Sequence, residues 1–475
     1  MTQPPVAHEP RTSHAVVIGA SMAGMLAARA LAGHVERVTV VERDRLSDGV
    51  QPRRGVPQGW QVHALVARGL LGLERLFPGF GQDLQDAGAV PVRLPGDVLI
   101  LGRAGWIDRR APGWLSLSAS RPLIEATVRR RLLELPGVTI LDGCEATALN
   151  ASDDGRVVRG LVLRGDDGAA SVDADLVVDA SGRGSRTPTW LADLGSPAPD
   201  RTRIDARITY ASRFYRVPDG FAADWKGMMI FGDRADNPRS GYLFPVEGGR
   251  WVVGLIGARG VHAATDENGY VAFARSLRSP VLAEALAAAE PVSDVHLHRG
   301  TSNQRWHYEG MRRWPERLLV LGDAAFAFDP VYGQGMTSAV LAAETLDACL
   351  RTQRRRRREG DLAGLGGRFQ RRLARRLAEP WLFAVGEDLR YPGTTGGTAG
   401  PLRRTLHRYQ NRLEVAATHD PVVTDVYVRA LGMLERPTAI LRPHLVLAAA
   451  RSRPSPGGDH VAPAPAAADI GGVPA

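Results

Sequence analysis

Lysine is almost absent from this chain. Of its 60 basic residues Lys226 is the only lysine, and the arginine excess leaves a net charge of +9. Such a bias reads as GC-rich coding and not as a nucleic-acid signal. The densest run, Arg354 to Arg358, has no interleaved aromatics and follows a predicted helix end, so it reads as a solvated terminus; no nucleic-acid partner is expected. Cysteine is scarce too. Cys144 and Cys349 are too far apart for a CxxC pair or a disulfide framework, which argues against thiol–disulfide chemistry. No run of about 18 apolar residues is free of charge, so no membrane span is expected. The first residues, MTQPPVAHEPRTSH, lack the apolar core of a secretory signal, and a cytoplasmic location follows by default. The twelve histidines are scattered; His296 and His298 share one strand face, but no carboxylate or cysteine cluster joins them, so no metal site is expected.

What is present is glycine in three separated turns. His14 to Gly19 is a short apolar run, Ser21 to Ala32 an alanine-rich helix and Arg37 to Glu42 a second buried strand, a βαβ unit of about thirty residues. Its turn runs Gly19-Ala20-Ser21-Met22-Ala23-Gly24. The outer glycines suit a tight turn and close helix–strand packing. Ser21 replaces the middle one, and its hydroxyl can donate to a phosphate oxygen. The helix start offers free N–H groups and about half a positive charge to an anion. Glu42, followed by Arg43, stands where a carboxylate can accept from ribose hydroxyls. The second turn is Asp179-Ala180-Ser181-Gly182-Arg183-Gly184, after a buried strand at Leu176 to Val178 and a meander predicted from Val138 onward. The third follows the strand Arg317 to Leu321: Gly322-Asp323, then Pro330, then Gly333-Gln334-Gly335 before a helix from Met336. Asp323 can bond a sugar-alcohol hydroxyl. The helix start would face a flavin ring and favour negative charge on it. Three such turns in this order point to FAD.

Between the second and third turns the pattern changes. From Arg203 to Gly257 apolar and polar residues alternate as in an antiparallel sheet, with Ile208, Tyr210 and Phe214 on one face and a hairpin turning at Gly248-Gly249. Tyr270 to Ala289 reads as helix. The fold class is therefore α/β: a Rossmann-like FAD-binding domain, interrupted by an antiparallel-sheet substrate domain and followed by C-terminal helices. The expected boundaries are a disordered lead at 1–12, FAD-binding segments at 13–194 and 306–355, a substrate domain at 195–305, a helical region at 356–450 and a disordered tail at 451–475.

These residues resemble the FAD-dependent monooxygenases of the aromatic-hydroxylase type, over roughly residues 13 to 350. The resemblance implies that Asp323 contacts the ribityl chain and Glu42 the adenosine ribose. It places Asp179 and Arg183 near the pyrophosphate or the reductant's path. Arg121, in Ser120-Arg121-Pro122, matches an arginine that contacts the cofactor. A narrower likeness, in RRGVPQGWQVHAL (53–65), WPERLLVLGDAAFAFDPVYGQGM (314–336) and GEDLRYPG (386–393), is to actinobacterial epoxidases of polyether-type polyketides. Arg54, in the first of these stretches, joins the expected cofactor set. Phe326 and Met336 stand where many relatives carry histidine and asparagine, and Tyr210, Phe214, Phe244, Phe326 and Phe328 are the expected substrate wall.

The implied chemistry takes one oxygen atom from O2 through a flavin hydroperoxide. NADPH or NADH, bound directly or through a partner flavin reductase, supplies the electrons, and the substrate is a hydrophobic small molecule. The cofactor performs the chemistry, so no catalytic side chain is assigned. Epoxidation of an alkene needs no protein base, and the predicted sheet offers no acid–base pair. Alkene epoxidation is therefore expected before aromatic hydroxylation. A flavin halogenase would need a lysine some tens of residues after the first glycine turn and a WxWxIP stretch, and this chain has neither. A dehydrogenase or saturating reductase on the same fold would consume no oxygen.

Overall fold

The computed structural model describes residues 13–452 except 64, 167, 234–235 and 357–359. The expected lead at 1–12, the tail beyond 452 and the end of the arginine run lie outside the described residues.

The N-terminal strand His14–Ile18, wholly apolar beyond its histidine, is buried along its length and takes the middle of a five-stranded parallel sheet. Its neighbours are Arg37–Val41 on one side and Leu176–Asp179 on the other; Val138–Leu141 and Leu318–Val320 form the edges. Near-continuous apolar runs suit strands covered on both faces. The helices Met22–Leu31 and Gly335–Arg356 pack together over this sheet and bury most of their apolar side chains. The meander is shorter than its sequence suggested. Val138–Leu141 belongs to the parallel sheet, and the antiparallel crossover comprises Glu145–Ala151, Val158–Gly165 and Gly168–Asp173.

The second sheet has eight strands. Its centre is Thr209–Arg216, Arg250–Gly257 and Arg239–Val246, and the last two form the expected hairpin. His296–His298 pairs with Thr209–Arg216, which puts Tyr210 opposite His298 and Ser212 opposite His296. Gly227–Ile230 extends the sheet, and Val98–Gly102, from far upstream, runs parallel to it. The outer face is covered by Glu267–Arg275 and Val281–Ala287. These two helices replace the single helix expected over Tyr270 to Ala289; Pro280 lacks an N–H and its ring clashes with a preceding turn, so the helix breaks there. Beyond residue 360 come the helices Leu365–Arg376, Ala378–Asp388, Pro401–Ala416, Pro421–Leu431 and Pro443–Arg451. No helix among the described residues is long and apolar enough to cross a membrane.

Candidate cofactor and substrate cleft

All three glycine turns open onto one cavity of about 470 Å³ between the parallel sheet and the eight-stranded sheet. That lies within the roughly 300–1,000 Å³ usual for small-molecule sites. From the first turn it is lined by Gly19, Ser21, Met22 and Ala23; from the second by Ser181, Gly182, Arg183 and Gly184; from the third by Gly322, Asp323, Pro330, Gly333, Gly335 and Met336. Parallel strands carry their connecting loops at one end, which brings turns so distant in sequence together.

The first turn is held by close packing. A Cβ on Gly24 would lie 1.7 Å from the carbonyl oxygen of Gly19, so only glycine lets the helix sit this near the strand end. Gly24 therefore lies beneath the cavity wall and not in it. Ser21 caps the helix without a side-chain bond to it, leaving the first-turn N–H groups facing the cavity. Its hydroxyl accepts from Arg121 Nη2 at 2.9 Å, and Arg121 Nε donates to Glu125 at 3.1 Å. Glu42 accepts from the Ala20 and Asp44 amides at 2.8 and 3.0 Å.

Arg53, a residue sequence reasoning missed, ties this end together. Its guanidinium lies 3.0 Å from each of Glu42, Asp44 and Glu125. Burial alone would lower its pKa; the three carboxylates outweigh that and hold it above the ordinary value. Its neighbour Arg54 is exposed and outside the cavity wall. Neither pattern nor periodicity distinguishes two adjacent arginines; only the chain's path does.

Asp179 is fully buried and shapes the second turn. It accepts from the Ser181 amide at 2.9 Å and from the hydroxyls of Ser185 and Thr187, and does not reach the cavity. Arg183 does. It donates to the carbonyl oxygens of Ser302 and Phe328 and lies 3.7 Å from Asp323, fastening the second turn to the third. Gln334 turns into the core. Six arginines line the cleft, namely 43, 53, 121, 183, 186 and 299, against three acids. Such a wall suits an anionic ligand. At Gly182, Gly184 and Gly335 an added Cβ would meet nothing within 4 Å. The open helix starts, the basic wall and this room beside the glycines fit a dinucleotide.

The opposite wall is made by side chains. Of the expected substrate wall, Tyr210 and Phe328 line the cavity. Phe214 does not: it packs edge-on against Trp60, 6.2 Å between ring centroids. Phe244 sits in the apolar cluster under the sheet, and Phe326 is buried between Trp381 and the Arg305 guanidinium. A strap, residues 57–63, lies on the sheet's inner face. Gln61 accepts from Ser212 Oγ at 2.7 Å and donates to the His296 carbonyl at 3.0 Å, while Trp60 stacks on the His296 ring at 3.8 Å. The strap carries Val62 and His63 into the cavity, where His298 also stands. His63 Nδ1 pairs with the Gln61 carbonyl at 2.9 Å, which fixes that nitrogen as the donor and leaves Nε2 without a hydrogen-bond partner among the described residues. Burial, then the Arg121 charge, pushes His63 down to about 3; burial and Arg183 lower His298. Both are neutral imidazoles near pH 7. His63 lies in the stretch 53–65, and no pattern in the sequence assigns it a role.

A parallel sheet with three glycine turns converging on one basic cleft defines a dinucleotide-binding oxidoreductase fold. The profile described as FAD dependent oxidoreductase matches residues 15–188. Protein Rv3254 of Mycobacterium tuberculosis is 32% identical over 432 residues, covering 89% of this chain and 90% of that protein. The chain belongs to the FAD-dependent oxidoreductase family. It is also 28% identical over 341 residues to the 6-methylpretetramide 4-monooxygenase of Streptomyces rimosus, covering 68% of this chain and 72% of that protein. Among solved structures, the flavin-dependent halogenase CmlS shares the fold with a TM-score of 0.62 at 20% identity, covering 90% of this chain and 77% of that one. Lys226, the one amine a halogenase reading could use, is bound to Asp97 and the Pro91 carbonyl, each at 3.0 Å, away from the cavity.

Proposed function

We propose that this protein is an FAD-dependent monooxygenase that inserts one oxygen atom from O2 into an unsaturated carbon of a polyketide-type small molecule. The convergence of the three turns on one cavity with a second, side-chain wall carries this reading. FAD, when bound, supplies the activation of dioxygen. The protein's residues do the rest. Ser21, the open amides behind it and Arg121 would hold the pyrophosphate. Glu42, with Arg53 and Arg43, would hold the adenosine end, and Asp323 would accept from the ribityl hydroxyls. The helix beginning at Gly335 would offer its positive end to negative charge on the cofactor. Phe328, Pro330, Val62 and Tyr210 enclose the reacting space and keep water out, so that activated oxygen meets substrate. NADPH or NADH, directly or through a flavin reductase, supplies the electrons.

The likeness to polyketide epoxidases makes an alkene the first acceptor. A hydroxyl-bearing aromatic ring is a second reading, favoured by the His63 imidazole, whose Nε2 has no hydrogen-bond partner among the described residues, in a wall where sequence reasoning had expected no such partner. The test is turnover of the holoprotein with reduced nicotinamide, with and without a flavin reductase, on polyene and polycyclic phenol panels under labelled dioxygen. One labelled atom per product molecule is expected. Substrate reduction without oxygen uptake would replace the reading with a reductase.

A further inference from the structure

Asp329 lies between Phe328 and Pro330, both in the cavity wall, yet is itself buried behind it. One of its oxygens, Oδ1, accepts from the Val331 amide at 3.0 Å and the Tyr210 hydroxyl at 3.3 Å. The other, Oδ2, has no partner among the described residues. The Asp329 amide donates to Asn303 Oδ1 at 2.8 Å. A backbone N–H only donates, so this fixes which end of the Asn303 amide is which. The Asn303 nitrogen then donates to Asp388 at 2.7 Å, and the Tyr332 hydroxyl donates to the other Asp388 oxygen at 2.9 Å. The Asn303 amide thus ties the Asp329 backbone to the Asp388 carboxyl, and two fully buried carboxyls stand at the seam between the third turn, the eight-stranded sheet and the helix Ala378–Asp388.

An ionised carboxylate removed from water needs donors on both oxygens, and Asp329 has them on one. Two neighbouring carboxylates in a dry core do not both ionise. Burial holds Asp329 up at about 7, and burial with the Asp329 carboxyl beside it holds Asp388 up at about 9. The groups facing Asp329 are Arg183, which pulls it down, Asp205, which pushes it up, and the Tyr210 phenol; Tyr332 and Glu387 flank Asp388. Arg183 acts on Asp329 through its charge alone, since both its terminal nitrogens bond backbone carbonyls. Of Asp329, Asn303, Asp388, Tyr332 and Tyr210, Tyr210 alone lines the cavity.

We propose that the Asp329–Asp388 pair stores a proton in the resting protein and releases it through the Tyr210 hydroxyl into the cavity. The release rests on the monooxygenase reading; the storage does not. Substrate, dioxygen, reduced nicotinamide and one proton give oxygenated substrate, oxidised nicotinamide and water. The water takes its hydrogens from the nicotinamide hydride and that proton. In the relay the Tyr210 hydroxyl, which donates to Asp329 at rest, first turns its O–H toward the cavity; that bond then breaks there as an Asp329 O–H turned to the phenol oxygen breaks toward Tyr210, and solvent restores the pair between turnovers. Tyr210 is the catalytic residue of this step; Asp329, Asn303 and Asp388 are positioning residues.

Infrared spectra of the full chain in light and heavy water at neutral pH test the storage. A deuterium-sensitive carboxylic-acid carbonyl band is expected. It should be lost or shifted in Asp329→Asn and Asp388→Asn, and shifted in Tyr210→Phe, which frees Oδ1 of a donor. Absence of the band in the unaltered protein, or its indifference to all three changes, overturns the storage. Should an aspartate variant fail to fold, Tyr210→Phe decides. The relay is tested by mixing photoreduced holoprotein with oxygenated buffer. Reoxidation should slow several-fold as pH rises through neutrality, and the slope should vanish in Tyr210→Phe; an unaltered profile in that variant overturns the relay. A band present in a protein that oxygenates no substrate supports the acid pair and overturns the monooxygenase reading alone.

Discussion

The two walls of the cleft are built on different principles. The dinucleotide side is backbone: helix starts, glycine turns and amides, braced by an arginine–carboxylate lattice around Arg53. The sheet side is side chain: Tyr210, His298, Phe328 and the strap residues Val62 and His63. A backbone wall is specified by spacing within short stretches, because a turn needs glycine at fixed offsets. A side-chain wall is specified by which distant strands pair, and any of many residue types can line it. The first kind recognises a constant ligand; the second is free to change with the substrate.

The sharpest way to break the backbone wall is Gly24→Ala. The new Cβ must displace the Gly19 carbonyl from 1.7 Å, and backbone yields less readily than a side chain. Overpacking of this kind costs roughly 1–3 kcal/mol or more. The melting temperature should fall and the purified protein should lose its yellow colour; a stable, flavin-loaded variant would remove the close-packing argument.

The next effect distinguishes the walls by pH. An acid raised in the folded state binds more protons folded than unfolded between its ordinary value of 3.8 and its raised one. Stability therefore falls as pH rises through that window, by about 1.4 kcal/mol for each pH unit and each proton retained. The Asp329–Asp388 seam supplies such a slope, up to about 7 for Asp329 and about 9 for Asp388. Denaturant titrations across the range should show it, and Asp329→Asn should flatten it. An equal slope in that variant would move the cause elsewhere.

Asp323→Ala is a milder attack on the dinucleotide side. The side chain is 40% exposed toward the cavity, so the fold should survive. Hydrogen bonds to a charged group contribute about 1.5–3 kcal/mol, which predicts an affinity for FAD weaker by about ten- to a hundredfold. Fluorescence titration of the flavin-free protein with FAD measures it. Unchanged affinity would detach the third turn from the cofactor.

This contrast also explains what the sequence disclosed. The glycine turns, Asp323 beside the third of them and the parallel strands were legible because each rests on local spacing or an apolar run, whereas Arg121, which lines the same cavity, was reached only through the family resemblance. Val138–Leu141 was misplaced because a buried parallel strand and a meander strand look alike in isolation. Phe214 and Phe244 have the alternation of the sheet's inner face, but alternation does not say that the strap covers one and the apolar cluster the other. Arg53, His63 and the Asp329–Asp388 pair depend on contacts across tens to hundreds of residues, which no local pattern encodes.

The smallest expected effect is the most discriminating. Gly254 lies beneath the strap, where an added Cβ would stand 2.9 Å from Val62 Cγ2 and 3.3 Å from Ser212 Oγ. Both neighbours are side-chain ends, so Gly254→Ala should cost less than the Gly24 change, about 1 kcal/mol. It should nevertheless lift Val62 and strain the bonds that Gln61 makes to Ser212 and His296. Amide hydrogen exchange should speed up over residues 57–63 while affinity for FAD stays as it was, because the dinucleotide side touches none of these atoms. If FAD affinity falls together with strap protection, the two walls act as one unit through Arg53 at the strap's upstream end, and the division between a constant backbone wall and a variable side-chain wall fails.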